Sequence, residues 1–159
     1  MTINVRPMLQ KDKSALMKIL QNTPEFKPSE VVVAEEVIDS YLTAPGGSGY
    51  YVLVAEVASS VAGYICYGPT PLTDGTWDIY WAAVAREKRG QSIGGALWKA
   101  AEGEIRKAQG RLVIIETSST QAYEKTLRFH LGQGYKIIAR VPDFYAPGDD
   151  KLILQKRLS

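Results

Sequence analysis

Residues 84–97, VAREKRGQSIGGAL, constrain this chain more than any other stretch. The apolar run over 76–84 predicts a strand. Ile93, Ala96, Leu97, Ala100, Ile105 and Ala108 then recur three to four residues apart, which predicts a helix. Between the two lies a basic loop rich in small residues. A helix start exposes unpaired N–H groups and about half a positive charge. Gly90, Ser92, Gly94 and Gly95 let an anion approach that backbone, and Arg86, Lys88 and Arg89 add to the field. The pattern predicts a phosphate site, with a ligand-free glycine-rich turn as the plainer reading. A Walker loop is excluded, because no Gly-Lys-Ser/Thr follows the glycines. The dinucleotide fingerprint G-x-G-x-x-G fails in spacing, and no acidic residue ends a strand about twenty residues on.

The rest of the chain supplies a sheet and its covering helices. Residues 2–6 alternate Ile3 and Val5 with polar neighbours and stop before Pro7, which predicts a short strand. Ala15, Leu16, Ile19 and Leu20 predict a helix with Asp12 as its N-cap. Ser29 is placed to cap a second helix, with Val33, Val37, Ile38, Tyr41 and Leu42 on its apolar side. Strands over 50–56 and 61–67 flank a tight turn at 58–60 that lacks the Asn-Gly signal. Gly110 ends the helix of the basic loop, and 112–115 is an unbroken apolar run, as in a strand covered on both faces. A helix over 121–131 and two strands, 135–141 and 152–155, around a loop at 142–150 complete the chain. Hairpins followed by a strand–loop–helix–strand unit predict an α+β (mixed α/β) fold around one sheet, a single domain over 1–159.

Composition excludes whole classes of function. Nineteen basic against seventeen acidic side chains give a net charge of +2, too balanced for a nucleic-acid partner. Cys66 is the only cysteine and His130 the only histidine, so neither a disulfide nor a Cys/His metal site is expected. The uncharged stretch 57–73 approaches the length of a membrane span, but Ser59-Ser60, Gly63 and Gly68-Pro69 interrupt it. No secretory signal stands at the N-terminus, and the expectation is a cytoplasmic protein without membrane attachment.

The loop Arg89-Gly90-Gln91-Ser92-Ile93-Gly94 resembles the pyrophosphate loop, Q/R-x-x-G-x-G/A, of the GNAT superfamily of N-acetyltransferases, with Ser92 at the position of the first glycine. Tyr123-x-x-Thr126-x-x-Phe129-His130-x-x-x-Gly134-Tyr135 resembles that family's N-x-x-A-x-x-F-Y-x-x-x-G-F, matching at Phe129, Gly134 and Tyr135 and departing at Tyr123, Thr126 and His130. The element order also matches over residues 1–159. The segments 116–119 and 143–149 look like those of a recurring bacterial subgroup. The resemblance implies a central mixed sheet of about seven strands with four helices, and acetyl-CoA as cosubstrate between splayed central strands, without a metal. Ala82, Ala83 and Val84 would bond the pantetheine arm through their backbone. Arg89, with the loop from Gly90 and Gln91 through Ser92, Ile93, Gly94 and Gly95, would hold the pyrophosphate. The implied reaction is acetyl transfer to a primary amine by direct attack in a ternary complex, in a family that is often homodimeric.

Four residues are catalytic candidates. Asp78 stands in an otherwise apolar strand, where a carboxylate is costly unless partnered or functional; alternation puts it on one face with Tyr80 and Ala82, and a bulge would shift that by one. Glu116 stands where the apolar run of its strand ends, and capping the next segment is its bland role. His130 shares a helical stripe with Tyr123, Thr126 and Leu127, where a lone histidine is ordinarily structural. It occupies the position of the family's tyrosine that protonates the departing thiolate, and as an imidazolium it would be a stronger acid than that phenol. Tyr123 is a second stand-in for that acid. Asp143, Tyr145, Asp149 and Asp150 could grip a cationic acceptor, although Pro-Gly-Asp is also ordinary turn chemistry. Cys66 reads as core. The expected activity is acetylation of a small-molecule amine, an amino acid or other polar metabolite. The alternatives are a protein or peptide N-acetyltransferase and a non-catalytic acyl-CoA sensor.

Overall fold

The computed structural model describes residues 2–158. Seven strands among them form one sheet: β1 (Ile3–Pro7), β2 (Tyr51–Val57), β3 (Ser60–Pro69), β4 (Thr76–Val84), β5 (Leu112–Ser118), β6 (Lys136–Ala146) and β7 (Asp149–Arg157). Four α-helices accompany it: α1 (Lys13–Gln21), α2 (Pro28–Thr43), α3 (Ile93–Lys107) and α4 (Glu124–Gly132). The spatial order is β1-β2-β3-β4-β5-β7-β6, and every pair is antiparallel except β4 with β5.

Successive strand residues point to opposite faces, which fixes the layering. Leu53, Ala55 and Val57 of β2 pack with Leu97, Trp98, Ala101 and Ile105 of α3. Val52 and Val54 between them pack with Leu16 and Leu20 of α1 and Ile38 and Tyr41 of α2. Both faces are covered, so β2 and β3 read as nearly continuous apolar runs. Each large side chain sealed this way is worth about 1.5–3 kcal/mol.

β4 and β5 pair over four positions only, from Thr76 with Leu112 to Ile79 with Ile115. Beyond them β4 keeps only β3 and β5 keeps only β7. The two strands therefore part into a fork that opens toward their carboxyl ends. A bulge lies at the same place: Tyr67 faces Ile79 and Cys66 faces Trp81, leaving Tyr80 as the extra residue of β4. It shifts the alternation, so Ala82 and Val84 pack on the α3 side, while Trp81 and Ala83 pack on the α1–α2 side. Ala82 thus lies on the opposite face from the one simple alternation gave it. Gly63 permits this geometry, since a Cβ there would stand 2.7 Å from the Ala83 carbonyl oxygen.

Several boundaries differ from the sequence expectations for physical reasons. α2 begins with Pro28 at its first turn and Lys27 at the N-cap, ahead of Ser29. It buries Ala34, Ile38 and Tyr41, while Val33 is left exposed. Asp12 does not cap α1 with its side chain; it accepts the Leu9 N–H and the Arg6 guanidinium instead. α3 ends at Lys107 and Gln109 takes the left-handed conformation, so the break precedes Gly110. A 3-10 turn over Gln121–Tyr123 leads into α4. The expected 142–150 loop is mostly strand: β6 runs on to Ala146 and only Pro147 and Gly148 separate it from β7. Pro142 is accommodated because β6 is an edge strand. Among the described residues, no helix is long and apolar enough to cross a membrane.

Candidate active site at the strand fork

The basic loop leaves β4 through a 3-10 turn over Arg86–Lys88 and enters α3 at Ile93. Gly90 at φ +78° and Ser92 at φ +64° turn the chain between the 3-10 turn after β4 and the start of α3. Among the described residues, no hydrogen bond uses the N–H groups of Gly90, Gln91, Ser92, Ile93, Gly94 or Gly95, and the Ser92 side chain makes no cap. A Cβ on Gly90 or Gly95 would meet nothing within 4 Å, and one on Gly94 would only touch the Phe129 ring at 3.5 Å. Packing does not require glycine at these three positions. Their missing side chains leave the free N–H groups open from outside, as an approaching diphosphate requires. The unpaired edge of β4 from Tyr80 to Val84, including Ala82 and Ala83, lines the fork beside this loop. These residues fit the phosphates and extended arm of an acyl-CoA.

The connection between α1 and α2 reaches across to this region. The Arg89 guanidinium donates to both carboxylate oxygens of Glu25 at 3.3 Å. Burial pushes the Glu25 carboxyl up, but Arg89 and Arg86 outweigh it and hold the pKa below the ordinary value. The Tyr123 hydroxyl donates to the Glu25 carbonyl at 3.0 Å, and Phe26 meets Trp81 edge-on at 5.8 Å.

Asp78 lies just below the fork, opposite Ile114 of β5. Its Oδ2 accepts from the Thr70 hydroxyl at 2.6 Å and from the Tyr80 hydroxyl at 3.4 Å. Tyr80 is the bulged residue, the first past the last β4–β5 pair, so its phenol joins the carboxylate to the open fork. Partial burial, then the Asp78 charge, pushes the Tyr80 phenol up to about 12, so it stays protonated. Glu116 stands one residue past the last pair on β5, half-exposed, with Lys151 Nζ at 2.8 Å.

Tyr123 lines a cavity of about 310 Å³ with Ser118, Ser119, Thr120, Gln121, Glu124 and Leu127 at the end of β5. Its phenol is raised first by burial and then by the charges of Glu30, Glu25 and Asp149, so it too is a protonated donor. His130 lies a turn and more further along α4, outside that lining. It is buried among Trp98, Phe129 and Tyr135, and its Nδ1 is sealed without a partner. Burial lowers its pKa to about 4, so the imidazolium assumed from the sequence is not its form near neutrality.

A family model described as the acetyltransferase (GNAT) family matches residues 14–135. The chain belongs to the GNAT family of acetyltransferases. A solved structure from Desulfovibrio desulfuricans, described as a candidate GNAT acetyltransferase, is 35% identical, with 99% of this chain and 100% of that one aligned at a TM-score of 0.95. An aminoglycoside 6'-N-acetyltransferase complexed with coenzyme A shares the fold at 18% identity and a TM-score of 0.76, covering 98% and 97% of the two chains. The ribosomal-protein-S18-alanine N-acetyltransferase from Escherichia coli shares it at 16% and 0.79, covering 99% and 95%. No curated protein sequence matches the chain.

In this GNAT acetyltransferase several polar residues serve the fold. Asp143 accepts the Gly148 N–H at 2.8 Å, and Asp150 accepts the Asp143 N–H at 2.8 Å and the Arg140 guanidinium, so both stitch the β6–β7 hairpin. Asp149 accepts the Ser118 hydroxyl and closes the end of β5. Cys66 is fully buried with its thiol pushed up to about 12, which makes it inert. Sequence reasoning missed Tyr80, Glu25 and Phe26. Only the bulge exposes Tyr80, and the other two meet partners far along the chain, so no periodic signal marks them.

Proposed function

We propose that this enzyme transfers the acetyl group of acetyl-CoA to the primary amine of a small polar molecule, by direct attack in a ternary complex. The observation that carries this reading is the fork of β4 and β5, with the free N–H groups of Gly90 to Gly95 and Arg89 at its mouth. Arg89 and the N–H groups of Gln91, Ile93, Gly94 and Gly95 hold the diphosphate, Gly90 and Ser92 shape the loop, and the backbone of Ala82, Ala83 and Val84 takes the pantetheine arm. The thioester supplies an activated acetyl group at the fork. The crossing of the fork by the α1–α2 connection favours a small acceptor over an extended peptide.

An alkylammonium has a pKa near 10.4 and must lose a proton before it attacks. Asp78 is the base, receiving that proton through Tyr80 or a water at the fork. Glu116, on the opposite wall, attracts the cationic acceptor. The departing thiolate takes a proton from a neutral donor. Tyr123 at the cavity is that donor, and the neutral His130, outside the cavity lining, is not placed to supply the proton.

The test is thiol release from acetyl-CoA with a panel of small amines and peptides. Turnover is expected with at least one small amine. Asp78→Asn should reduce kcat by about 10²–10⁴-fold without changing CoA affinity. Turnover on peptides alone would transfer the reading to a protein acetyltransferase, and CoA binding without any turnover would leave a sensor.

A further inference from the structure

Arg89 already holds an anion of its own chain. The Glu25 carboxylate sits on the guanidinium with two 3.3 Å contacts, across 64 residues of sequence. The same residue is tied at its carbonyl to Tyr123, across 98 residues, and the next one, Phe26, rests on Trp81 of β4. Residues 22–27 thus form a strap with three anchors: the basic loop, the entrance to α4, and the strand that borders the fork. We propose that Glu25 is an internal competitor for the diphosphate: acetyl-CoA displaces its carboxylate from Arg89, and this exchange loosens the strap over residues 22–27. The inference rests on the reading that Arg89 binds the diphosphate.

The Glu25 carboxylate occupies the Nη1 and Nη2 edge of Arg89, and its negative charge opposes a second anion on the remaining Nε edge, while a diphosphate is the stronger ligand in charge and in acceptor number. The Arg89–Glu25 pair is only partly buried, with side chains 44% and 22% exposed, so it is weak enough to be exchanged. A site closed part of the time loses apparent affinity by its closed fraction. Loss of Glu25 from Arg89 frees the strap from the basic loop. The strap then keeps the Tyr123 hydrogen bond, the Phe26 edge on Trp81 and, at its α1 end, the buried Thr23, whose hydroxyl donates to the Ile19 carbonyl at 2.7 Å.

Calorimetric titration with CoA on the wild type, Glu25→Gln, Arg89→Ala and the double variant tests the competition. Glu25→Gln should bind CoA about two- to fivefold more tightly, the range expected for an exposed ion pair, and this gain should vanish in the Arg89→Ala background. Amide exchange over 22–27 should accelerate on CoA saturation in the wild type and change little in Glu25→Gln. Unchanged or weaker binding by Glu25→Gln, a gain that persists without Arg89, or slower exchange over 22–27 would each overturn the strap. An Arg89→Ala variant that binds CoA as well as wild type would instead overturn the diphosphate reading, and the strap with it.

Discussion

Ser92 holds a left-handed conformation at φ +64° in the basic loop before α3, where the family motif has glycine. A residue with a Cβ pays about 1–2 kcal/mol for that conformation, whereas glycine reaches it freely. The serine gains nothing visible in exchange, since its hydroxyl makes no cap and its side chain is exposed. Ser92→Gly should therefore raise unfolding stability by about 0.5–1 kcal/mol after the greater chain entropy of glycine is subtracted. Urea unfolding of the two proteins reads this directly, and a lower midpoint for the variant would show that the serine hydroxyl has a partner in solution. Asp78 shows the same tension between local cost and use. A carboxylate among Trp77, Ile79 and Tyr80 is tolerated because the Thr70 and Tyr80 hydroxyls both donate to its Oδ2.

The β2–β3 hairpin is closed by Ala58 and Ser59, at φ +50° and +65°. Two consecutive positive φ values in a two-residue turn are the signature of type I′, which Asn-Gly fits without strain. Replacing Ala58-Ser59 by Asn-Gly should stabilise the protein by about 1–2 kcal/mol, seen as a rise in Tm of several degrees, because the turn touches neither core. No rise would mean that the flanking strands dictate the turn. The elements themselves were legible wherever one physical rule governed them. Glycines at a helix start exposed the basic loop, and period-3.6 apolar residues exposed α3. The end of the β6–β7 hairpin was not legible, because Pro142, Pro147 and Gly148 carry turn chemistry, while the irregular stretch between the Val141–Lys151 and Ala146–Asp149 pairs is held by Asp143 and Asp150 accepting N–H groups across it. The fork was implied by the family resemblance alone, since divergence of two strands leaves no mark in periodicity. Glu25 escaped notice because its meaning lies in Arg89, and nothing between the two points to the other.

At the scale of the whole molecule, the two faces of the sheet carry different hazards. The α1–α2 face is almost entirely apolar, while the α3–α4 face buries a titratable ring, His130, only 4% exposed. Nearby, the Tyr135 hydroxyl donates to Glu102 at 2.8 Å and Lys156 holds the other Glu102 oxygen at 2.8 Å. That carboxylate is thus already engaged, and no hydrogen-bond partner reaches His130 Nδ1. Burial depresses its pKa from 6.5 to about 4, so the unfolded chain binds a proton between those values and the folded protein does not. Stability is therefore full above pH 6.5 and falls as the pH drops toward 4. By pH 4.5 the loss is roughly 2–3 kcal/mol, taking 1.36 kcal/mol per pKa unit. The carboxylates of Asp12, Asp150 and Glu25, held below their ordinary values, lose most of their contribution at lower pH, and what Glu25 begins to lose near pH 4.5 is common to wild type and a histidine variant. Urea unfolding of wild type and His130→Leu at pH 7 and 4.5 separates the effects, because only the difference between the two slopes belongs to the ring. The wild type should lose roughly 2–3 kcal/mol more than the variant over that interval. Equal losses would mean that His130 reaches solvent in the folded protein, and an imidazolium donor to the thiolate would then return as the better assignment of the acid.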